Sequence, residues 1–202
     1  MPSNEYHFVT RWRLQATIEE IAQILGDATD LPRWWPSVYL AVRELEPGDA
    51  RGLGKLIDLY TKGWLPYTLR WQFCVSEVGA SSITLQASGD FVGRGIWSFE
   101  QDGEWATVTY DWKISADKPL LRYLSFLMKP IFAANHHWAM NQGQRSLRLE
   151  LARRHAGSPE QLARIPAPPG PTNAPPLALL FGFAAALTLV YSMLKRRYGQ
   201  SL

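Results

Sequence analysis

WRLQATIEEIAQILGDATDLPRWWPSV, residues 12–38, carries the punctuation from which the fold is read. Upstream, residues alternate with a period of two: Tyr6, Phe8, Trp12 and Leu14 fall on one side, Glu5, His7, Arg11 and Arg13 on the other. That is the signature of a strand with one buried face. Thr17 then stands where a helix N-cap belongs, with Glu20 three residues on, as in a capping box. Ile18, Ile21 and Leu25 form the apolar stripe of a short helix that Gly26 can close. A second short turn, Asp30 to Trp35, stops at Pro36.

Beyond it the pattern returns to strands. One is expected near Val38–Leu45, then Lys55–Lys62, Thr68–Val78, Ser82–Gly89, Gly95–Glu100 and Ala106–Ser115. Gly48-Asp49, Gly79, Gly89-Asp90 and Asp102-Gly103 mark the turns, and such short connections favour antiparallel pairing. A long helix is expected from about Pro119 to Arg154, bent or split at Pro130. Phe132, His136, Met140, Gly143, Leu147 and Leu151 recur at three or four residues and share one of its faces. The order is strand, two short helices, six strands, one long helix. This is an α+β chain, and a curved antiparallel sheet of about seven strands around the last helix is the economical way to bury those faces.

Nine tryptophans are more than core filling needs in 202 residues. Tryptophan combines a large apolar area with one N–H donor, which suits the wall of a site for a bulky apolar guest. A sheet gripping one helix encloses a tapering space, and Gly95 and Gly143 are expected to remove further bulk from it.

The opening stretch of residues 12–38 resembles the start of the START-like (SRPBCC) superfamily, with a strand, a capped helix and a tryptophan-rich turn of the RWWP type. KGWLPYTLRW (62–71), GDFVGRGIWSFE (89–100), VTYDWKIS (108–115) and NHHWAMNQG (135–143) resemble its polyketide cyclase/dehydrase and lipid-transport branch. The resemblance covers about Glu5 to Arg154. It implies a helix-grip fold around a cavity for a lipophilic molecule. It implies neither carrier nor enzyme, since the superfamily contains both. By that resemblance the cavity candidates are Trp64, Tyr67 and Trp71, Trp97 and Phe99, Tyr110 and Trp112, and Phe132, His136 and Met140, with Trp34 and Trp35 as a lid.

His136 is the one candidate for catalysis. It shares the stripe of Phe132 and Met140, whereas His137 projects about 100° away. A histidine in an apolar cavity can exchange a proton with a carbonyl or hydroxyl ligand near neutral pH, or it can simply bond a strand carbonyl. Asp58, Arg70, Asp90, Arg94 and Asp111 lie within the strands; arginines there either orient an anionic headgroup or face solvent. Adjacent His136 and His137 lack metal-ligand spacing, Cys74 has no activating neighbour, and Gly52-Leu53-Gly54 and Gly93-Arg94-Gly95 precede no helix. No metal and no cofactor are expected.

The charge is uneven. Up to Glu150 there are 15 Lys+Arg against 17 Asp+Glu, and from Leu151 onward 6 against 1. The basic excess belongs to the tail, so the domain is not a nucleic-acid surface. Seven prolines in residues 156–176 read as an extended linker without helix or sheet. Residues 177–194, LALLFGFAAALTLVYSML, carry no charge and Lys195, Arg196 and Arg197 follow. As a helix the run spans roughly 27 Å, close to the hydrocarbon thickness of a bilayer. The expected organisation is a ligand-binding domain at 1–155, a linker at 156–176, a single-pass membrane anchor at 177–194 and a basic tail at 195–202. The N-terminus has no apolar signal region, and the domain is therefore expected to face the cytoplasm. Ala178, Gly182 and Ala186 recur every four residues, a spacing for a weak homodimer through the span.

Three functions fit. The chain is a membrane-tethered module that binds or carries a hydrophobic small molecule or lipid. Alternatively it is a polyketide cyclase/dehydratase-like enzyme acting on an aromatic or polyketide substrate, with His136 as acid/base. The third is a membrane-anchored interaction module without ligand.

Overall fold

The computed structural model describes residues 5–116 and 125–172. Seven strands, β1 (Glu5–Gln15), β2 (Tyr39–Glu46), β3 (Leu56–Lys62), β4 (Thr68–Val78), β5 (Ser82–Gly89), β6 (Phe91–Asp102) and β7 (Trp105–Ala116), form one sheet. Its order is β1-β7-β6-β5-β4-β3-β2, and every neighbouring pair is antiparallel. β1 and β7 close the gap in sequence through a register that sets Tyr6 opposite Ile114 and Trp12 opposite Val108. All seven strands stand where the alternation puts them; β6 is longer at both ends than the expected Gly95–Glu100.

Helix α1 (Ile18–Gly26) begins with the capping box: the Glu20 N–H donates to the Thr17 hydroxyl, and the Thr17 N–H to the Glu20 carboxylate. Ile21 and Ile24 are its buried residues. Gly26 ends the helix without the left-handed turn that a glycine cap uses, and Asp27 follows at φ −87°. A 3-10 turn, Ala28–Asp30, leads into the four-residue α2 (Leu31–Trp34). Arg33 clamps α2 to the long helix α3 (Ser125–Arg154): its guanidinium donates to Asp30 at 2.6 and 2.7 Å and to Glu150 at 2.7 and 2.8 Å. Those bonds hold the Arg33 pKa above its ordinary value.

α3 runs alongside β1 in the same direction. Tyr6 meets Phe132, Thr10 meets His136, and the Arg13 carbonyl accepts from Arg148. The helix continues through Pro130 rather than splitting there. Its stripe is as expected: Met140, Leu147 and Leu151 are buried against the sheet. Trp12, Leu14, Ile21, Ile24, Trp34, Val108 and Leu147 are among the most deeply buried side chains of the core.

Two expectations are corrected. Residues 156–176 do contain a helix, α4 (Pro159–Arg164): Ser158 caps it, accepting from the Gln161 N–H at 3.3 Å. Proline at the first helical position surrenders an N–H that has no helical partner anyway, so Pro159 starts this helix instead of preventing it. The Arg153 guanidinium also donates to the Pro166 carbonyl, which ties this segment back to α3. Glycine is the second correction. The space beside Gly143 is taken by the Trp35 ring and that beside Gly95 by Tyr110 and Trp112, so both glycines admit rings and leave no void.

The expected anchor at 177–194, its Ala178/Gly182/Ala186 face and the tail at 195–202 lie outside the described residues. Among the described residues no helix is long and apolar enough to cross a membrane.

Candidate functional site

The site lies between the sheet and the first half of α3. It is a cavity of about 130 Å³, bordered by β1 (Tyr6, Phe8), β4 (Leu69, Trp71), β7 (Tyr110, Trp112, Ile114) and α3 (Phe132, Asn135, His136, Met140). An apolar cavity of about 150 Å³ is enough to admit benzene, so this space suits one ring or a short chain. Alternation produces the wall: on β7 Tyr110, Trp112 and Ile114 point inward together, and on β1 Tyr6 and Phe8 do the same. The aromatic lining is ordered by ring contacts. Tyr110 stacks on Trp97 at 4.0 Å and on Trp112 at 5.5 Å, and Phe8 stacks on His136 at 4.2 Å.

Polar atoms are few. His136 Nε2 and the Thr10 hydroxyl share a hydrogen bond of 3.4 Å. Burial, with a smaller contribution from His137, lowers the His136 pKa from 6.5 to about 4. The ring is therefore neutral at pH 7. The Tyr6 hydroxyl is buried and has no hydrogen-bond partner among the described residues. Burial raises the pKa of Tyr6, Tyr39, Tyr67 and Tyr110, so all four remain phenols and can donate. The Trp71 indole N–H donates to Thr61 Oγ1 at 3.0 Å, which orients both groups. Asn135 Oδ1 accepts from the Trp64 N–H at 2.9 Å and the Leu65 N–H at 3.3 Å, fastening the β3–β4 connection to α3 beside the cavity.

Of the residues expected at the site, Tyr67, Trp71, Tyr110, Trp112, Phe132, His136 and Met140 border this cavity, as does Trp35. Trp97 and Phe99 border a second, adjacent space. Trp34 and Trp64 border neither. Nor do Trp34 and Trp35 form a lid: they are 0 % and 2 % exposed and belong to the core, because the Arg33 clamp draws α2 under α3. His136 bonds a side chain of β1 instead of a strand carbonyl. His137 points outward and donates Nδ1–H to the Ala133 carbonyl at 2.6 Å.

Arg70 and Arg94 face solvent; Arg70 lies over the Tyr60 ring at 4.5 Å. Asp111 pairs with His7, and Asp58 accepts from Gln72. Cys74 is half-buried on β4. Among the described residues no group of His, Cys, Asp or Glu is arranged to hold a metal.

Sequence reading missed Tyr6, Phe8, Tyr39, Thr61 and Asn135 as lining residues. For Tyr6 and Phe8 the signal was present, since they share a strand face with Trp12 and Leu14. Nothing in the sequence marks Asn135, because its partners lie about seventy positions away, at Trp64 and Leu65.

Solved structures with this arrangement exist. The chain is similar to the Zhui aromatase/cyclase from Streptomyces sp. R1128, at 15% identity and a TM-score of 0.62, over 76% of this chain and 97% of that one. It is similar to TTHA0849 from Thermus thermophilus, at 16% identity and a TM-score of 0.59, over 73% and 99%. The di-domain aromatase/cyclase BexL from the BE-7585A biosynthetic pathway matches at 12% identity and a TM-score of 0.56, over 78% of this chain and 52% of that one. The domain has the START-like, helix-grip fold. At these identities the START-like likeness is one of fold. No family model and no curated protein matches the sequence.

Proposed function

We propose that the START-like domain binds a hydrophobic small molecule or lipid in the cavity between sheet and α3. We propose further that residues 177–194 tether it to a membrane, with the domain on the cytoplasmic side. The observation that carries the binding reading is the cavity itself. It is walled by aromatic rings and holds a few hydrogen-bonding groups, among them a buried Tyr6 hydroxyl without a partner among the described residues. A buried hydroxyl left unpaired costs on the order of 1–3 kcal/mol, which a ligand oxygen would recover. The solved neighbours include aromatase/cyclases, which act on ring-forming substrates by their names, and this agrees with an apolar guest.

His136 weighs against the general-acid form of the enzyme reading. A general acid or base works best with a pKa near the operating pH, and burial holds His136 at about 4. At pH 7 it is a neutral hydrogen-bonding group with no proton to give as imidazolium. An interaction module without ligand would gain nothing from an apolar cavity, whose lining forgoes packing contacts. For the tether, the uncharged run and the three basic residues after it are the supporting observations.

The test is extraction of the purified full chain into organic solvent followed by mass spectrometry. A hydrophobic compound is expected at close to one per chain, and Ala139→Trp, which fills the cavity from α3, should lower that amount severalfold. Equal recovery from the filled variant overturns the binding reading. Deleting residues 177–194 should move the protein to the soluble fraction, and continued membrane association overturns the tether.

A further inference from the structure

A second chamber of about 110 Å³ adjoins the first, lined by residues including Leu31, Phe73, Val75, Leu85 and Phe99, with Gly26 and Lys55 at its outer rim. Trp35, Tyr39, Trp71, Tyr110 and Met140 border both chambers and form the wall between them. The chambers differ in chemistry. The first offers Tyr6, Thr61, Lys62, Tyr67, Asn135 and His136. Beyond the shared wall, the second is apolar apart from the Trp97 indole and Lys55, and the Lys55 ammonium reaches away to the Gly26 carbonyl at 3.4 Å and to Glu44 at 3.6 Å.

The members of the wall are not equally fixed. Trp35 is wedged against Gly143 and touches Trp12, Trp34 and Tyr39. Tyr110 is stacked between Trp97 and Trp112. Trp71 is held through its bond to Thr61 and by Phe73, Phe91 and Trp112. Met140 has no polar anchor, and an unbranched thioether with three rotatable bonds repacks more readily than a ring.

We propose that Met140 is a gate between the chambers, and that the ligand is an amphiphile whose tail passes it. The hydrogen-bonding head, a phenol or carbonyl, sits against Tyr6, Tyr67 and His136. The apolar tail swings Met140 aside and fills the second chamber. This rests on the binding reading and makes Met140 the residue that sets how long a tail the site accepts. The first chamber is filled by a single ring, so tail length reports entry to the second.

The experiment is calorimetric titration of the full chain with 4-alkylphenols from 4-ethylphenol to 4-octylphenol. Each methylene moved from water into an apolar site improves binding by about fourfold. The wild-type affinity should therefore rise steadily, with an octyl-to-ethyl ratio of at least about a hundredfold. Met140→Phe stiffens the gate and Val75→Phe fills the second chamber from β4. Each should cut that ratio by about tenfold or more, as expected from losing two or more methylenes of burial. A ratio unchanged in both variants overturns the gate. So does a wild-type series that stops rising at the ethyl or propyl member, a result that needs no variant to fold. Binding of no alkylphenol at all overturns the cavity reading as well, which separates the two failures.

Discussion

The two halves of α3 face the same sheet with the same kinds of side chain, yet one half is packed solid and the other borders a void. Around Gly143, Leu147 and Leu151, the short helices α1 and α2 supply a further layer: Ile21, Ile24 and Trp34 are at most 1 % exposed. Around Phe132 and His136 the described residues supply the sheet on one side, the helix on the other and the β3–β4 connection beside them, and Phe8, Tyr67 and Phe132 are only partly buried. Tryptophan serves both halves. Trp34 fills the packed half, whereas Trp71 and Trp112 wall the first chamber. The lesson is that residue type does not decide between filler and wall; the presence of an additional element does.

The sharpest way to break this comparison is to truncate one ring in each half. Trp34→Ala leaves a large void among fixed neighbours and should cost about 3–5 kcal/mol in urea unfolding. Phe132→Ala enlarges a space that is already open and should cost about 1 kcal/mol, while weakening ligand binding. Equal losses from the two variants would mean that the halves are packed alike.

Acid tests the cavity half next. His136 is held at about 4 against an ordinary 6.5, so between those values the unfolded chain binds more protons than the native one. Stability contributed by keeping this ring neutral is intact above pH 6.5 and is lost as pH falls toward 4, by at most about 3 kcal/mol. His136→Phe, which keeps the stack on Phe8, should flatten that window in unfolding curves measured at pH 7 and pH 5. The packed half responds lower. Burial pushes the Glu150 carboxyl up, but hydrogen bonds from Arg33 and Arg154 outweigh it and leave the pKa below 4.5. That stabilisation is present above pH 4.5 and disappears only as pH falls through the lower native value. A Glu150→Gln variant that removed the slope between pH 5 and pH 7 would reverse the assignment.

The frame of this fold was legible because its signals are local. The alternation of β1, the Thr17/Glu20 box and the stripe from Phe132 to Leu151 each lie within one element, and each is where it was read. What was illegible depends on distant partners. Trp34 and Trp35 read as a lid because nothing nearby reveals that Arg33 reaches Glu150, 117 positions away. Tyr67 turns to Phe132 while Trp64, three residues earlier, lies in a connection that Asn135 holds by its backbone. The division of the interior into two chambers is drawn by five residues from β2, β4, β7, α3 and the turn after α2, and no sequence spacing encodes it. At α4 the cue was present, Ser158 before Pro159, but the weight of later prolines hid it.

The smallest expected effect concerns how the open half stays closed. At the packed end, the Arg33 clamp and the rings beside it hold α2 under α3; at the cavity end the Asn135 amide fastens the β3–β4 connection. Asn135 Oδ1 takes both the Trp64 and Leu65 N–H groups, and a Cβ at position 63 would collide with the Asn135 side chain, so the connection lies directly on α3. Asn135→Ala strands two donors beside the cavity and should cost about 1–2 kcal/mol, with faster amide exchange at Trp64 and Leu65. Asn135→Asp keeps an acceptor in place and should restore most of the protection. The loss should fall on the rate at which a bound alkylphenol leaves, more than on global unfolding, because opening one connection does not disturb Trp12, Trp34 or Leu147. If instead global stability drops as far as in Trp34→Ala, the cavity end is fastened as rigidly as the core, and the contrast between the two halves of α3 would not hold.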